Sequence, residues 1–130
     1  MKFLKSFFES TSTEKPKIKR YEVDGFVVFQ GKDAQSNDYL TFEMSSEDDL
    51  WFHAKGVPGS HVLIKIKDSL PTELTIRKVA SIAAKNSKSK SDEVPVVYCK
   101  KKFVKKTPEL NAGQVKVDYL NANELIVPKN

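Results

Sequence analysis

The fold is constrained most by one long helical pattern that stands among many short strand-like segments. The pattern covers residues 72–88, where apolar residues recur at helical spacing. Pro71 and Thr72 stand at its start, and lysines gather at its end, where the helix dipole favours positive charge. The alanines of the pattern would let this helix lie close to a sheet. We therefore expect one principal helix packed on strands.

Short segments rich in β-forming residues lie on both sides of this helix. Residues 20–30 place Asp24-Gly25, a dipeptide typical of two-residue hairpins, between two strand-like flanks. Residues 50–55 and 61–67 predict a second pair of strands, joined by the corner GVPGS. Four further strand candidates follow the helix, at residues 94–98, 102–106, 114–119 and 124–128.

The segment from 33 to 44 loses strict alternation, which predicts an irregular turn or a short helix. Together the patterns predict an α+β fold with a mostly antiparallel sheet, one principal helix at about 72–88, and a short additional helix or turn near 33–44. A chain of 130 residues with 39% apolar composition suits one domain. We place this domain at residues 20–129, after an N-terminal extension or linker at residues 1–19.

The opening segment MKFLKSFFES mixes lysines with apolar residues, as some targeting sequences do. Its apolar run is broken by Lys5 and Ser6 and no small-residue cleavage site follows, so we expect neither a signal peptide nor a membrane span. The single cysteine, Cys99, excludes an intramolecular disulfide framework. The sequence therefore predicts a cytoplasmic protein that has no membrane partner.

Charge is distributed unevenly along the chain, whose formal net charge is +5. Residues 33–49 contain six acids and no lysine or arginine, whereas residues 85–106 contain eight lysines and two acids. This distribution predicts a polarised surface whose basic side would attract a polyanion, such as nucleic acid. The alternative is an ordinary solvated lysine face.

The only tryptophan and both histidines of the chain lie in one stretch, DLWFHAKGVPGSHVLIK, at residues 49–65. Strand alternation places Trp51, His53 and Lys55 on one face and the residues between them on the other. The Pro-Gly corner would then bring His53 and His61 towards each other. The stretch predicts either a polar pocket or a well-packed hairpin whose histidines satisfy buried backbone groups.

This stretch carries no recognised metal or catalytic signature. The histidine spacing matches none of the usual zinc patterns, and the chain has no third histidine and no second cysteine. A phosphate-binding glycine motif is also missing from the sequence. Ser60 adjoins His61, but neighbouring strand residues point to opposite faces, so adjacency alone makes no catalytic dyad. We predict no metal and no cofactor.

Several segments together resemble one known family. GFVVFQGKDAQSNDYLTF, DLWFHAKGVPGSHVLIK and VASIAAKNSKSKSDEVPVVYCKKKFVKK are similar to the NFACT-R domain, the RNA-binding module of the ribosome quality-control proteins called NEMF in animals and RqcH in bacteria. The resemblance covers about residues 20–129, and its most specific part runs from Asp49 to Val62. It implies that this chain is the RNA-binding module alone.

The resemblance also extends to individual positions. A family block with glycine, a basic residue, asparagine, leucine and threonine falls on Gly31, Lys32, Asp33, Asn37, Asp38, Leu40 and Thr41. One departure is the segment TPELNAG, which stands where family members carry a basic, glycine-rich stretch. We expect this loop to grip a polyanion less strongly than its counterpart in the family.

The chain is therefore predicted to bind structured RNA, either tRNA or rRNA, and not to be an enzyme. The lysines expected to hold phosphates are Lys85, Lys88, Lys90, Lys100, Lys101, Lys102, Lys105 and Lys106. The residues expected to form a more discriminating pocket with one stacking surface are Lys32, Trp51, His53, Lys55, Ser60 and His61.

The resemblance implies the large ribosomal subunit as a further partner. Two alternatives stay open, an RNA-modifying or hydrolytic enzyme that uses His53 and His61 as acid and base, and a module that docks on ribosomal proteins. Histidines with an ordinary pKa near 6.5 would donate to phosphate when protonated, so the pocket predicts RNA binding that strengthens as the pH falls from about 7.5 to 6.

Overall fold

The computed structural model describes residues 15–130, in which an antiparallel sheet carries one helix on each face. The first half contains β1 (Ile18–Val23), β2 (Phe26–Gly31), α1 (Ala34–Glu43), β3 (Leu50–Ala54) and β4 (Val62–Ile64). The second half contains α2 (Glu73–Lys85), β5 (Glu93–Lys100), β6 (Val104–Lys105), β7 (Lys116–Val117) and β8 (Asn123–Pro128). Short 3-10 turns cover Lys101–Phe103 and Tyr119–Asn121.

Six of these strands form one sheet in the order β1-β2-β4-β3-β5-β8, and every neighbouring pair is antiparallel. Strands β6 and β7 form a separate two-stranded sheet. The predicted α+β fold with a mostly antiparallel sheet is confirmed. In the same residues, 15–130, neither helix is long and apolar enough to cross a membrane.

The predicted hairpin at Asp24-Gly25 is present between β1 and β2. Both turn residues have positive φ, 51° for Asp24 and 87° for Gly25, as a turn that matches the twist of the strands requires. The Asp24 carboxylate also accepts hydrogen bonds from Thr75 Oγ1 at 2.6 Å and Lys78 Nζ at 2.9 Å. The hairpin turn is thereby tied to α2.

The segment near 33–44 is a helix, the second of the two predicted alternatives. It begins where the Asp33 side chain accepts a hydrogen bond from the Ser36 amide at 2.8 Å, which satisfies one of the free N–H groups at the helix start. Helix α2 begins in the same way, with Thr72 accepting from the Thr75 amide at 3.2 Å.

Helix α2 ends at Lys85, three residues before the predicted end at 88. The chain turns there because its backbone pairs with the corner between β3 and β4. The Ser60 amide donates to the Asn86 carbonyl at 3.1 Å, and the Lys88 amide donates to the Pro58 carbonyl at 2.8 Å. The corner therefore rests on the C-terminal end of α2.

Two of the predicted strands after the helix are much shorter than expected. Of residues 102–106 and 114–119, only Val104–Lys105 and Lys116–Val117 pair as strands, and 3-10 turns take up part of the remainder. Strand-forming composition predicted the segments correctly, but it does not specify how many residues find a partner.

Hydrophobic residues cover both faces of the six-stranded sheet. On one face, Phe52 and Ala54 pack with the small, buried residues of α2, Ala80, Ala83 and Ala84. On the other face, a second cluster joins Leu40 of α1, Trp51, Leu63, Cys99 and Val104. The predicted alternation along β3 is confirmed, with Trp51 and Phe52 buried on opposite faces and His53 half-buried.

The first described strand begins at Ile18 and the last ends at Pro128. These limits lie within two residues of the expected domain at 20–129, whose boundary stays a prediction. The apolar residues of the opening segment, residues 3–8, lie outside the described part of the chain.

Candidate nucleic-acid interface

An open groove of about 870 Å³ lies at one end of the sheet, around the corner between β3 and β4. One wall is the start of α1 with Lys32 and Asn37, and another is the chain that follows α2, with Asn86 and Lys88. The loop at residues 112–115 and Tyr119 also line the groove. The groove has the size of a typical small-ligand or nucleotide site.

His61 is at the base of this groove and is only 1% exposed. Its Nε2 is 3.1 Å from the Gly113 carbonyl, which can only accept, so Nε2 carries the hydrogen. Nδ1 must then accept a hydrogen bond from the Thr41 hydroxyl at 2.8 Å. The same hydroxyl oxygen accepts from Trp51 Nε1 at 3.1 Å. Both ring nitrogens of His61 are thus occupied within the protein.

The environment of His61 keeps its imidazole neutral. Burial lowers its pKa from 6.5 to about 3, and the nearby imidazole of His53 acts in the same direction. Burial also lowers the pKa of His53, an effect that backbone hydrogen bonds with Gly59 and Ala54 only partly offset. The expectation that histidine protonation strengthens RNA binding between about pH 7.5 and 6 has no support at His61, whose ring is already neutral in this range. For His53 it stays a prediction, which the lowered pKa of that ring weakens.

The structure brings the aromatic residues of the predicted pocket together. The ring centroids of His53 and His61 are 5.3 Å apart in an edge-to-face arrangement. Trp51 stacks on His53 at 5.9 Å and meets His61 edge-on at 5.1 Å. Trp51 is only 1% exposed, however, because it also packs in the hydrophobic cluster that contains Leu40 and Val104. Trp51 cannot be the predicted stacking surface, since no ring face is free to receive a base.

Helix α1 positions the corner through Asn37. The Asn37 Oδ1 accepts from the His61 amide at 3.0 Å, and its Nδ2 donates to the Gly59 carbonyl at 3.4 Å. Gly31 makes room for this contact, because a Cβ atom at Gly31 would be 2.1 Å from Asn37 Oδ1. Ser60 is buried and accepts from Gln30 Nε2 at 3.0 Å. The hydroxyl of Ser60 is therefore part of the support of the corner.

The predicted separation into an acidic and a basic face is wrong. The register of β3 with β5 places Leu50 opposite Lys100, so the acids before β3 lie beside the lysines after β5. Asp48 is 3.7 Å from Lys100 Nζ and 3.8 Å from Lys102 Nζ. Glu47 is 3.3 Å from Lys101 Nζ. The two charged blocks of the sequence partly neutralise each other.

Lys106 is also engaged inside the protein. Its Nζ is 3.1 Å from the Asp38 carboxylate, and it donates to the carbonyls of Asn111 at 2.6 Å and Gln114 at 2.8 Å. These contacts fix the loop that carries Gly113, the partner of His61. The predicted phosphate contact by Lys106 would break this arrangement.

Other predicted lysines differ from these in their surroundings. Lys32 and Lys88 both line the groove, on different walls, and neither makes an ion pair with any residue in 15–130. Lys85 and Lys90 flank Lys88 along the chain and are exposed. Lys55 also lines the groove but pairs with Glu124 at 2.9 Å, and Lys105 is exposed on β6 and does not line the groove.

The groove offers little to acid–base or nucleophilic chemistry. His61 has no free nitrogen, and burial raises the pKa of the Cys99 thiol to about 11, so this thiol stays protonated. Asp49 is buried, accepts hydrogen bonds from the amides of Ser46 and Ile66, and pairs with Lys65 at 2.6 Å. Within residues 15–130, no group of three or more histidine, cysteine, aspartate or glutamate residues is arranged to hold a metal ion.

The sequence assigned no role to Asn37 and Tyr119, which line the groove, or to Thr41, which contacts His61. Asn37 and Thr41 hold the backbone and the ring of His61, and their spacing of four residues on one helix face is a signal that could have paired them. Tyr119 lies 58 residues after His61 in the chain, and no local pattern connects the two.

Comparisons with known proteins agree with this architecture. Residues 16–118 match the model of the NFACT protein RNA binding domain family. The chain is 43% identical over 105 residues to the Rqc2 homolog RqcH of Bacillus subtilis, a match that covers 79% of this chain and 18% of that protein. It is 36% identical over 105 residues to the Rqc2 homolog RqcH of Streptococcus suis, covering 76% of this chain and 19% of the relative.

A solved structure has the same fold. It is that of the C-terminal part of the fibronectin/fibrinogen-binding protein from Streptococcus suis, which superposes with a TM-score of 0.82 at 28% identity. The match covers 98% of this chain and 55% of that one. The chain thus spans about a fifth of the length of the two bacterial relatives and about half of the solved fragment.

Proposed function

The chain belongs to the NFACT RNA-binding domain family, and we propose that it binds structured RNA, tRNA or rRNA, through the groove around the β3–β4 corner. The surface of an RNA is dominated by phosphates and ribose hydroxyls, so a binding groove needs free positive charge and polar groups. Both features are present around this corner.

One observation carries the proposal. Lys32 and Lys88 line different walls of the groove and form no ion pair within residues 15–130, whereas Lys100, Lys101, Lys102 and Lys106 are close to carboxylates. A lysine that already faces an acid must give up that partner before it can hold a phosphate. Lys32 and Lys88 of the groove, with Lys85 and Lys90 that flank Lys88 along the chain, are therefore better phosphate ligands than the lysines at the end of β5 and after it.

Binding is favoured over catalysis in this groove. An acid–base pair needs ring nitrogens that can exchange protons with a substrate, but both nitrogens of His61 are hydrogen-bonded inside the protein. His53 would have to act alone. We assign the histidines to the support of the groove.

A role in ribosome-associated quality control follows from the relatives. Two of them are named as Rqc2 homologs, and the present chain corresponds to less than a fifth of their length. The RNA-binding module would contribute to this role by binding ribosomal RNA or tRNA in the cytoplasm. The large ribosomal subunit would then be its partner. The remaining steps would belong to other domains.

The test compares two double variants that each remove two positive charges. Lys32→Gln with Lys88→Gln removes the groove lysines, and Lys100→Gln with Lys102→Gln removes two lysines that share Asp48. Binding of unfractionated tRNA and of a 23S rRNA fragment is measured by fluorescence anisotropy at several KCl concentrations. We expect the groove variant to lose affinity and about two units of log-log salt slope, and the control to lose much less.

Equal losses in both double variants, or a larger loss in the control, would contradict the groove as the RNA site. Sedimentation with ribosomes separates RNA binding from protein docking. Ribosome association that is unaffected by Lys32→Gln with Lys88→Gln, in a chain that binds no free RNA, would replace this proposal with docking on ribosomal proteins.

A further inference from the structure

We propose that Tyr119 is the residue on which an unpaired RNA base stacks, which makes single-stranded or looped RNA the preferred ligand class of the groove. The inference rests on the proposed RNA-binding function and specifies which part of an RNA the groove receives. The sequence predicted one stacking surface in the pocket without assigning it to a residue, and Trp51, the only tryptophan of that pocket, is buried.

Among the aromatic rings of residues 15–130 that line the groove, only that of Tyr119 is largely free. Tyr119 is 62% exposed, whereas Trp51 and His61 are each 1% exposed. His53 is half-buried, with Trp51 stacked at 5.9 Å and His61 edge-on at 5.3 Å. No ring contact or cation contact involves Tyr119 among the residues from 15 to 130. Its ring is therefore available to a ligand.

The backbone around Tyr119 is well fixed. The Asp118 side chain accepts from the Leu120 amide at 3.2 Å and from Asn121 Nδ2 at 2.8 Å. The Asp118 amide donates to the Phe103 carbonyl at 2.9 Å, which ties the turn to the chain before β6. A tyrosine has only two side-chain torsions, so a ring on a fixed turn loses little conformational entropy when a base stacks on it.

The surroundings of Tyr119 suit a nucleotide more than an apolar ligand. Lys55 lines the same groove as Tyr119 and pairs with Glu124 at 2.9 Å. Lys32 and Lys88 supply positive charge on the other walls. A base on Tyr119 would therefore have cations nearby for its phosphates.

Stacking on a tyrosine distinguishes unpaired from paired RNA. Bases inside an A-form duplex already stack on each other, and the duplex presents riboses and phosphates to a protein. A base in a loop or bulge can leave the stack and lie on an aromatic ring. A groove with Tyr119 on its rim should prefer the loop.

The experiment uses the full chain and two RNA probes, a hairpin with a single-stranded loop and a blunt-ended duplex of the same stem. Tyr119→Ala should weaken binding of the loop hairpin by about 5- to 150-fold and leave duplex binding within about twofold. Tyr119→Phe keeps the ring and should retain hairpin affinity. A 2-aminopurine in the loop should be quenched on binding to the wild type and to Tyr119→Phe, but not to Tyr119→Ala.

Two controls isolate the ring of Tyr119. Leu120→Ala changes the neighbouring residue of the same turn, which is 97% exposed and does not line the groove. Tyr39→Ala removes a tyrosine that is 44% exposed outside the groove. Neither control should alter hairpin binding, and a loss in either one equal to that of Tyr119→Ala would contradict the inference.

Failure of this inference can be told apart from failure of the proposed function. If Lys32→Gln with Lys88→Gln weakens hairpin binding and Tyr119→Ala does not, the groove binds RNA without base stacking and the inference is wrong. If neither variant weakens binding, or if the wild type binds neither RNA, both proposals are wrong.

Discussion

At the scale of single residues, His61 connects three parts of the chain. Its backbone amide binds Asn37 of α1, its Nδ1 binds Thr41 of the same helix, and its Nε2 binds the carbonyl of Gly113 in the loop between β6 and β7. We expect a residue in this position to act on the shape of the groove and not directly on a ligand. Strand alternation and the Pro-Gly corner predicted that His53 and His61 lie close together. The two alternatives for the stretch, a polar pocket and a well-packed hairpin, both apply to this one site.

His61→Ala is therefore expected to lower the free energy of unfolding by about 2 to 4 kcal/mol, because it opens a cavity beside Trp51 and leaves the Gly113 carbonyl without its donor. Urea unfolding followed by Trp51 fluorescence measures this. RNA affinity of the folded fraction should change little. His53→Ala is the comparison, with a smaller loss because His53 is half-buried. A loss of affinity without a loss of stability in His61→Ala would show direct contact with RNA.

The low pKa of His61 predicts a dependence of stability on pH. The folded-state pKa is about 3, whereas the unfolded chain binds a proton near pH 6.5. Above pH 6.5 neither state is protonated and stability is at its full value. As the pH falls from 6.5 towards 3, only the unfolded chain takes up the proton, so stability should fall by about 1.4 kcal/mol per pH unit.

Urea unfolding at pH 7, 6 and 5 checks this slope, and the lowered pKa of His53 acts in the same direction. His61→Ala should flatten the profile because it removes the titrating group. An equally steep profile in this variant would assign the pH dependence to other residues.

At the scale of elements, β2 and α1 approach each other closely in the site. Gly31 ends β2, and Asn37 of α1 lies against it. The φ of Gly31 is not positive, so the backbone does not require glycine there, and only the contact with Asn37 excludes a larger residue. A close approach of this kind couples the position of α1 to the groove.

Gly31→Ala is expected to destabilise the fold by about 2 to 4 kcal/mol, because its methyl group would displace the Asn37 amide from the His61 backbone. In an Asn37→Ala background the same substitution should cost clearly less, since the clashing side chain is gone. Chemical denaturation of the four chains of this double-mutant cycle measures the difference. Additive losses would mean that the two residues do not interact.

Elements that depend on neighbouring residues could be predicted, and those that depend on distant pairing could not. The Asp24-Gly25 hairpin and the cap of α2 are local and follow from the sequence. The contact of Lys100 with Asp48 arises from the register of β3 with β5, which joins residues about fifty positions apart. Sequence patterns do not specify that register. The lysines of the basic block were therefore expected to be unpaired, whereas in the fold several of them lie close to acids.

At the scale of the whole molecule, the positive charge that is free to bind phosphates lies mainly at the groove. The lysine-rich block at residues 85–106 supplies less of it than its composition suggests. Four of the eight lysines in that block, Lys100, Lys101, Lys102 and Lys106, lie within ion-pair distance of an acid. The number of counterions released on RNA binding should reflect Lys85, Lys88 and Lys90 of this block together with Lys32, because Lys105 does not line the groove.

With Lys32, Lys85, Lys88 and Lys90 as the phosphate ligands, the log-log dependence of affinity on salt should have a slope of about 3 to 4, compared with about 7 if all eight lysines of the block bound phosphates. Titration of the wild-type chain with tRNA between low and moderate KCl measures it. A slope near the larger value would show that the ion pairs with Asp48 and Glu47 open on binding.

The strand order has a mechanical consequence. Strands β1 and β8 are the two outer strands of the six-stranded sheet, and the antiparallel pairings place Ile18 and Pro128 at the same end of it. Tension applied between these two residues would act across the strands and would open the hydrogen bonds of each edge strand one after another. A sheet loaded in this direction unzips at low force, whereas a sheet pulled along its strands must break a whole row at once. In an optical trap, the domain should therefore yield easily and lose β1 or β8 first.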